Sequence, residues 1–427
     1  MTTFTIVFLL ALFLGMPVAF ALGVPSLMYL VESGQTSILP MMPQKIFGGL
    51  NSFTLLAVPY FIFAGEIMSK AGITERLANL FYLLVGRVKG GLAYVNILNS
   101  TVFAGISGSA ITDIMAMGSL EINMMVEQGY EKDFATACTV SSSVVGPIIP
   151  PSIMAAMYSG ITGVSLGALF AGGYLPGILF SLSMAIIIFL QAKKRNYPRR
   201  MEKIPFKAAV KIVIDGIVAI LMPVIMIGGI LGGVFTPTEA AIVGVVYAII
   251  AGFFILRTLK LSDFPEMIVN TIKNASGLLL LMGIAYLFGW VLSFENVSGN
   301  VADLITSYTT NPTIFMLLVV LLALFAGMWM EVGTIVILFT PILYPTAVML
   351  GVHPIVFGVI LIITSALGVT TPPVGVCLYA ASSIAGIPIE RTFRRVAPFF
   401  IAQVCAVVLM VLFPDIILFL PRVFGLI

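Results

Sequence analysis

Apolar runs long enough to cross a bilayer recur along this chain, at Thr5–Tyr29, Ala208–Gly233, Thr236–Leu256 and Ala397–Leu420. A spanning helix needs about 20 predominantly apolar residues, so each run is read as a membrane helix, whereas a β-barrel would show alternating segments of about ten residues. Only 9% of the 427 residues are charged and 60% are apolar. Soluble domains carry roughly a quarter charged residues, so the chain is expected to be an all-α polytopic membrane protein with the lipid bilayer as its solvent. The N-terminal run lacks the basic leader of a signal peptide and reads as a retained first helix.

Charge is clustered. Basic residues concentrate in AKKRNYPRRMEKIPFK (Ala192–Lys207) and RTFRR (Arg391–Arg395), with a smaller group at Arg257 and Lys260. By the positive-inside rule these face the cytoplasm. Pro198 and Pro205 break the first stretch, so residues 192–210 read as a cytoplasmic basic linker between a first half, 1–191, and a second, 211–427. No basic face of the kind nucleic acid requires is present. The three cysteines, Cys138, Cys377 and Cys405, stand alone in apolar surroundings without a metal or redox spacing and read as packing residues.

The two halves repeat. GPIIPP at Gly146–Pro151 and GVTTPP at Gly368–Pro373 share the pattern G-x-x-x-P-P at an offset of 222. The same offset, without a gap, superposes Phe103-Ala104-Gly105 on Phe325-Ala326-Gly327, Thr112 on Thr334, Val126 on Val348, Gly129 on Gly351, Ser143 on Ser365 and Pro176 on Pro398. Most matches are residues that set backbone shape. The second G-x-x-x-P-P leads directly to the basic RTFRR, whereas the first needs one more span, Phe170–Leu190, to reach a basic loop. Equivalent segments therefore lie on opposite faces, the inverted-topology repeat used by secondary transporters.

Within the first half, Gly90–Leu120 is apolar but interrupted by Asn96, Asn99, Ser100, Thr101 and GISGSA (Gly105–Ala110). Such an interruption at membrane depth needs protein or an aqueous cavity around it, so 90–120 reads as a re-entrant hairpin with its tip near Ser107–Ser109, followed by a broken helix at 131–158. The second half is read with a broken helix at 313–345 and a re-entrant hairpin at 354–386. Gly327–Thr334 partners the first tip, and Glu331 stands where the first copy has Ser109. Proline removes a backbone donor and disfavours helix before it, so carbonyls freed in the G-x-x-x-P-P elements can coordinate a cation while half-helix N-termini attract an anion. The hydroxyls of Ser107, Ser109, Ser143, Thr370 and Thr371 add neutral oxygen. No Lys or Arg lies between Lys89 and Lys132 or between Lys273 and Arg391, so an anion bound here requires co-bound cations, which gives sodium coupling a physical motive.

Two other readings compete with this one. GISG matches the GxSG of intramembrane serine proteases, but a nucleophilic serine needs a base within hydrogen-bond reach, and the single histidine, His353, precedes a proline in a loop. A proton-coupled antiporter or channel would use Asp113 and Glu331, intramembrane carboxylates that are functional candidates by position.

GISGSA, GPIIPPS, ITGVSLGALFAGGYLPG (Ile161–Gly177) and GVTTPPVGVCLY (Gly368–Tyr379) together resemble the large membrane subunit of tripartite ATP-independent periplasmic (TRAP) transporters, nearly end to end. The resemblance implies about eleven spans plus two re-entrant hairpins, an elevator mechanism, location in the bacterial inner membrane and no enzymatic activity. It also implies two sodium sites. The first would involve Ser107 and Ser109 with Gly146, Ile149 and Pro150, and the second Gly327 with Gly368, Thr370 and Thr371. Asn99, Gly108, Ser143, Pro151, Glu331 and Pro373 are the candidate substrate contacts. Family members work with a small four-helix membrane subunit, expected here as a separate polypeptide, and with a periplasmic substrate-binding protein. Their substrates are small carboxylates such as C4-dicarboxylates, sialic acid and other sugar or keto acids.

Overall fold

A computed structural model describes residues 2–32, 39–195, 197–199 and 204–427. Asn196 and residues 200–203 of the expected basic linker lie outside these. Among the described residues the chain forms twenty α-helices and no strand. They are α1 Thr2–Phe13, α2 Val18–Glu32, α3 Met41–Leu50, α4 Ala57–Lys70 and α5 Ile73–Val85, then α6 Gly91–Ser107, α7 Ala110–Glu127, α8 Lys132–Ser143, α9 Ile153–Thr162 and α10 Leu166–Arg195. After the linker come α11 Phe206–Leu231, α12 Pro237–Ile250, α13 Phe264–Phe294 and α14 Val297–Tyr308. The chain ends with α15 Pro312–Gly327, α16 Val332–Met349, α17 Pro354–Gly368, α18 Val376–Ala385, α19 Ile389–Leu412 and α20 Asp415–Val423.

Seven helical stretches among the described residues are long and apolar enough to cross a membrane singly, and α14 with α15 form one further candidate bent by 117°. Two apolar runs are divided. The expected first helix, Thr5–Tyr29, is split into α1 and α2, because Gly15 is left-handed at φ 71° and Pro17 offers no N–H to continue the ladder. The run Ala397–Leu420 is split at Phe413-Pro414, where α19 ends and α20 begins. Thr236 starts α12 with a capping box, its hydroxyl accepting from Glu239 N while the Glu239 carboxylate accepts from Thr236 N.

The repeat seen in sequence is a repeat of elements. Adding 222 to the bounds of α7 gives those of α16, and the same shift brings the starts of α8, α9 and α10 onto those of α17, α18 and α19 within one residue. Both Pro-Pro bonds, Pro150-Pro151 and Pro372-Pro373, are cis. The copies run in opposite senses. Arg195, at the end of α10, and Arg395, near the start of α19, donate to the same Glu131 carboxylate oxygen, and the two helices pack side by side. Equivalent helices that lie antiparallel in one chain establish an inverted repeat.

The core follows the same symmetry. α17 is buried from Ile355 to Gly368 and α8 from Asp133 to Ser143, as expected for a helix with no lipid-facing stripe. The helix pair α6/α7 packs on α8 and its equivalent α15/α16 packs on α17. Residues 313–345, read in the sequence as the broken helix, therefore correspond to the first hairpin, and 354–386, read as the hairpin, correspond to the first half's broken helix, α8 and α9, because the 222-residue shift carries α7 onto α16 and α8 onto α17. The outward faces of α10, α11 and α12 expose Ile186, Phe189, Leu221, Val224 and Val246, side chains suited to lipid.

Candidate functional site

The tip of the first hairpin is two residues wide. α6 ends at Ser107, Gly108 turns left-handed at φ 61°, and Ser109 is extended before α7. The tip rests on the break between α8 and α9. A Cβ placed on Gly146 would lie 3.0 Å from the Ser109 carbonyl oxygen, one on Gly108 would lie 2.8 Å from the Pro151 oxygen, and one on Gly105 would lie 3.2 Å from the Pro150 oxygen. The backbones meet because none of these positions carries a side chain. Ser107, Gly108, Ser109, Gly146, Pro150 and Pro151, predicted from separate motifs, are therefore brought together. Ile149 is buried beside them, its side chain against Gly177.

The second half repeats this contact more tightly. Gly327 and Gly368 face each other so closely that a Cβ on Gly327 would fall 2.6 Å from Gly368 Cα. The Met328 carbonyl accepts from the N–H groups of Val374 and Gly375, tying the tip to the break. Thr370 and Thr371 are buried and donate to the carbonyls of Leu367 at 2.7 Å and Gly368 at 2.6 Å, so their hydroxyl lone pairs remain available to a cation. Pro373 is exposed and lines neither cavity at the tips.

The two tips share one space. A cavity of about 460 Å³ is lined by Ser107, Ser109, Thr112, Asn274, Glu66 and Glu331 among others. A small adjoining void is walled by Ser109, Pro147, Glu331, Val369 and Cys377. Ser109 and Glu331, equivalent positions of the two copies, thus face the same opening. Among the described residues, no Lys, Arg or His lines either space. A cavity of about 670 Å³ elsewhere is lined by Tyr286, Trp290, Asn296, Tyr344 and Lys45, whose ammonium lies 5.4 Å from the Trp290 ring centre. Lys45 and Trp290 carry no motif, which is why sequence reading passed over them.

Asn99 and Ser143 line neither opening. Ser143 is buried and donates to the Val140 carbonyl. Asn99 belongs to a polar network inside the first hairpin, donating to Glu121 at 3.1 Å, while Ser100 donates to Asp113 at 2.8 Å and Ser142 to Asn96 at 2.7 Å. Asp113 and Glu121 are buried, and one oxygen of each has no hydrogen-bond partner among the described residues. Glu121 was not singled out in the sequence because its neighbours carry no polar pattern. His353 caps α17, its Nδ1 accepting from Ile355 N, and lines neither cavity at the serine tip.

Inverted repeats, paired hairpins and broken helices meeting at one cavity define a helical membrane transport protein. The chain belongs to the family described as Tripartite ATP-independent periplasmic transporter, DctM component, which matches residues 5–416. It is 38% identical over 417 residues to the sialic acid TRAP transporter large permease protein of Vibrio cholerae, covering 97% of this chain and 96% of that one. It is 33% identical over 382 residues to the C4-dicarboxylate TRAP transporter large permease protein of Pseudomonas aeruginosa, covering 90% and 89%. A match at 36% identity to the isethionate TRAP transporter permease protein of Oleidesulfovibrio alaskensis covers 94% of this chain and 63% of that protein. The fold matches the solved YdaH transporter of Alcanivorax borkumensis with a TM-score of 0.62 at 13% identity, over 96% of this chain and 97% of that one. The chain is thus an inner-membrane permease, and its relatives are transport proteins, not enzymes.

Proposed function

We propose that this chain carries a small organic acid, such as sialic acid or a C4-dicarboxylate, into the cell by sodium-coupled secondary transport, working with a small membrane subunit and a periplasmic binding protein. The observation that carries the reading is the cavity shared by the two tips. It offers serine, threonine and asparagine groups and the carboxylates of Glu66 and Glu331 and, among the described residues, no basic side chain. A carboxylate substrate entering that space meets negative charge and is retained only with co-bound cations. Each tip-and-break contact supplies the means: backbone carbonyls at close quarters with hydroxyls, the neutral oxygen donors that suit a hard cation. One sodium is assigned to Ser107, Ser109, Gly146, Ile149 and Pro150, and a second to Gly327, Gly368, Thr370 and Thr371. Gly108, Pro151 and Glu331 border the substrate, and Asn99, Ser143 and Pro373 act on it through the elements they brace. Alternating access follows an elevator motion, in which the two hairpins and broken helices move as a body against the remaining helices.

Reconstitution with the small subunit and binding protein in liposomes, with labelled sialic acid or succinate, tests this. Uptake should require an inward sodium gradient that potassium does not replace, and Ser107→Ala and Thr370→Ala should each raise the sodium concentration for half-maximal uptake. A transported acid whose uptake ignores sodium and follows a pH gradient would overturn the coupling and favour the second reading, a proton carrier. That reading draws support from Asp113 and Glu121, two buried carboxyl groups for which no ion pair occurs among the described residues.

A further inference from the structure

We infer that the basic hollow between the end of α10 and the start of α19 binds the headgroup of an anionic phospholipid whose acyl chains lie along the exposed faces of these two helices. The hollow has a volume of about 290 Å³ and is lined by Leu190, Lys194, Arg195, Arg394, Arg395 and Pro398. α10 is 30 residues long, about 45 Å at 1.5 Å per residue, against a hydrocarbon core of about 30 Å. Its last turn, Lys193–Arg195, therefore stands at the headgroup level of the cytoplasmic face.

The charge at the hollow is unbalanced. Arg195 and Arg395 share the Glu131 carboxylate oxygen at 2.5 Å each, and Arg395 and Arg391 reach Asp133 at 3.1 and 3.4 Å. Four bases, Lys194, Arg195, Arg394 and Arg395, line the hollow, and among the described residues no carboxylate lines it. Lys194 and Arg394 form no ion pair among the described residues and are exposed. The two acids are already engaged by guanidiniums, so the remaining positive charge is open to an anion from outside the chain.

The walls select a lipid over a free anion. Ile186, Leu190 and Lys194 follow one another at i, i+4, i+8 on α10, and Arg394, Pro398 and Ile401 share a stripe of α19, so the basic rim continues directly into an apolar track. On that track Ile186 is 59% exposed, Leu190 57% and Ile401 61%. Phosphate in the hollow with hydrocarbon below it matches the shape of one membrane lipid, and basic pockets between helices on the cytoplasmic side take anionic headgroups.

The test uses the purified full chain in detergent, with phosphatidylglycerol and cardiolipin as probes, phosphatidylcholine as the neutral lipid and inorganic phosphate as the free anion. Phosphatidylglycerol and cardiolipin should be retained in native mass spectra and slow thermal inactivation, and the two controls should not. Lys194→Gln/Arg394→Gln should weaken anionic-lipid binding about 25-fold, the product of roughly fivefold for each base near an anionic surface. Lys207→Gln/Lys211→Gln, on exposed α11 positions, should bind as the parent does. The charge-preserving Lys194→Arg/Arg394→Lys pair should retain binding, which separates loss of charge from loss of fold. Equal protection by inorganic phosphate would make the hollow a small-anion site, and undiminished lipid binding by the double glutamine variant would place the lipid elsewhere; either result overturns the assignment.

Discussion

Replacing Gly327 with alanine would place a methyl carbon 2.6 Å from Gly368 Cα and 2.8 Å from its carbonyl carbon, where ordinary contact begins near 3.4 Å, so the tip and the break must separate by about 0.8 Å. Both partners are backbone, so no rotamer can relieve the clash. Forcing a methyl group into a packed interior costs about 1–3 kcal/mol. If that contact must close around a cation, the same energy is about a 5- to 150-fold rise in half-saturating sodium. The assay is uptake into proteoliposomes over a sodium series, with thermal inactivation measured in parallel. Gly368→Ala should behave alike, because its Cβ would lie 2.7 Å from Gly327 Cα and 2.9 Å from the Leu324 oxygen. Gly277→Ala, with nothing within 4 Å, should be neutral or stabilising by up to about 1 kcal/mol, since alanine is the better helix former. An unchanged sodium dependence in Gly327→Ala would refute the claim that the second cation sits at this contact.

Gly146→Val should abolish sodium-dependent uptake while leaving membrane insertion intact, because a Cβ there already meets Ser109 at 3.0 Å; a variant transporting at half the parental rate would count against a closed first tip. Asn99→Ala leaves the buried Glu121 carboxyl without its amide donor, which costs about 1–3 kcal/mol and should appear as faster thermal inactivation, and Glu121→Gln, which can keep one hydrogen bond to Asn99, should be milder. In the first turn of α8, burial tends to raise the Asp133 carboxyl, but hydrogen bonds and charge from Arg395 and then Arg391 outweigh it and hold the group below its ordinary range. A depressed carboxylate contributes stability above its unfolded pKa of about 3.9 and loses it as pH falls through the lower folded value. Inactivation rates of the parent and Asp133→Asn should therefore differ by a constant factor from pH 7 to 5 and converge only in stronger acid; convergence by pH 6 would show that the pair does not hold α8 to α19.

The fold was legible where the backbone itself is constrained. Shape-setting residues repeat at the 222-residue offset, and the helices repeat at that offset because Gly and Pro dictate where a helix must stop, whatever surrounds it. Hydropathy was less informative about the ends of spans. Thr5–Tyr29 and Ala397–Leu420 read as continuous because apolar side chains carry no mark of direction, while a left-handed Gly15 beside Pro17, and Pro414, divide them. The bend of 117° between α14 and α15 was equally hidden, since it falls where Thr309 to Asn311 leave the helix between two runs of ordinary composition.

At the candidate site, sequence marked the residues that meet backbone to backbone and passed over those that act through side chains at a distance. Gly108, Gly146, Gly327 and Gly368 were visible because close approach admits only glycine there. Glu121 could not be found this way: its meaning depends on Asn99, 22 positions earlier, and only the folded hairpin makes them neighbours. The same limit hid the pairing of Glu131 with Arg195 and Arg395, which spans 64 and 264 positions, although the two basic clusters were each read as cytoplasmic. Their meeting at one carboxylate turns the inference from charge into geometry. The end of one repeat's long helix and the start of its counterpart's share a face, which is what inversion requires of two equivalent helices in one chain.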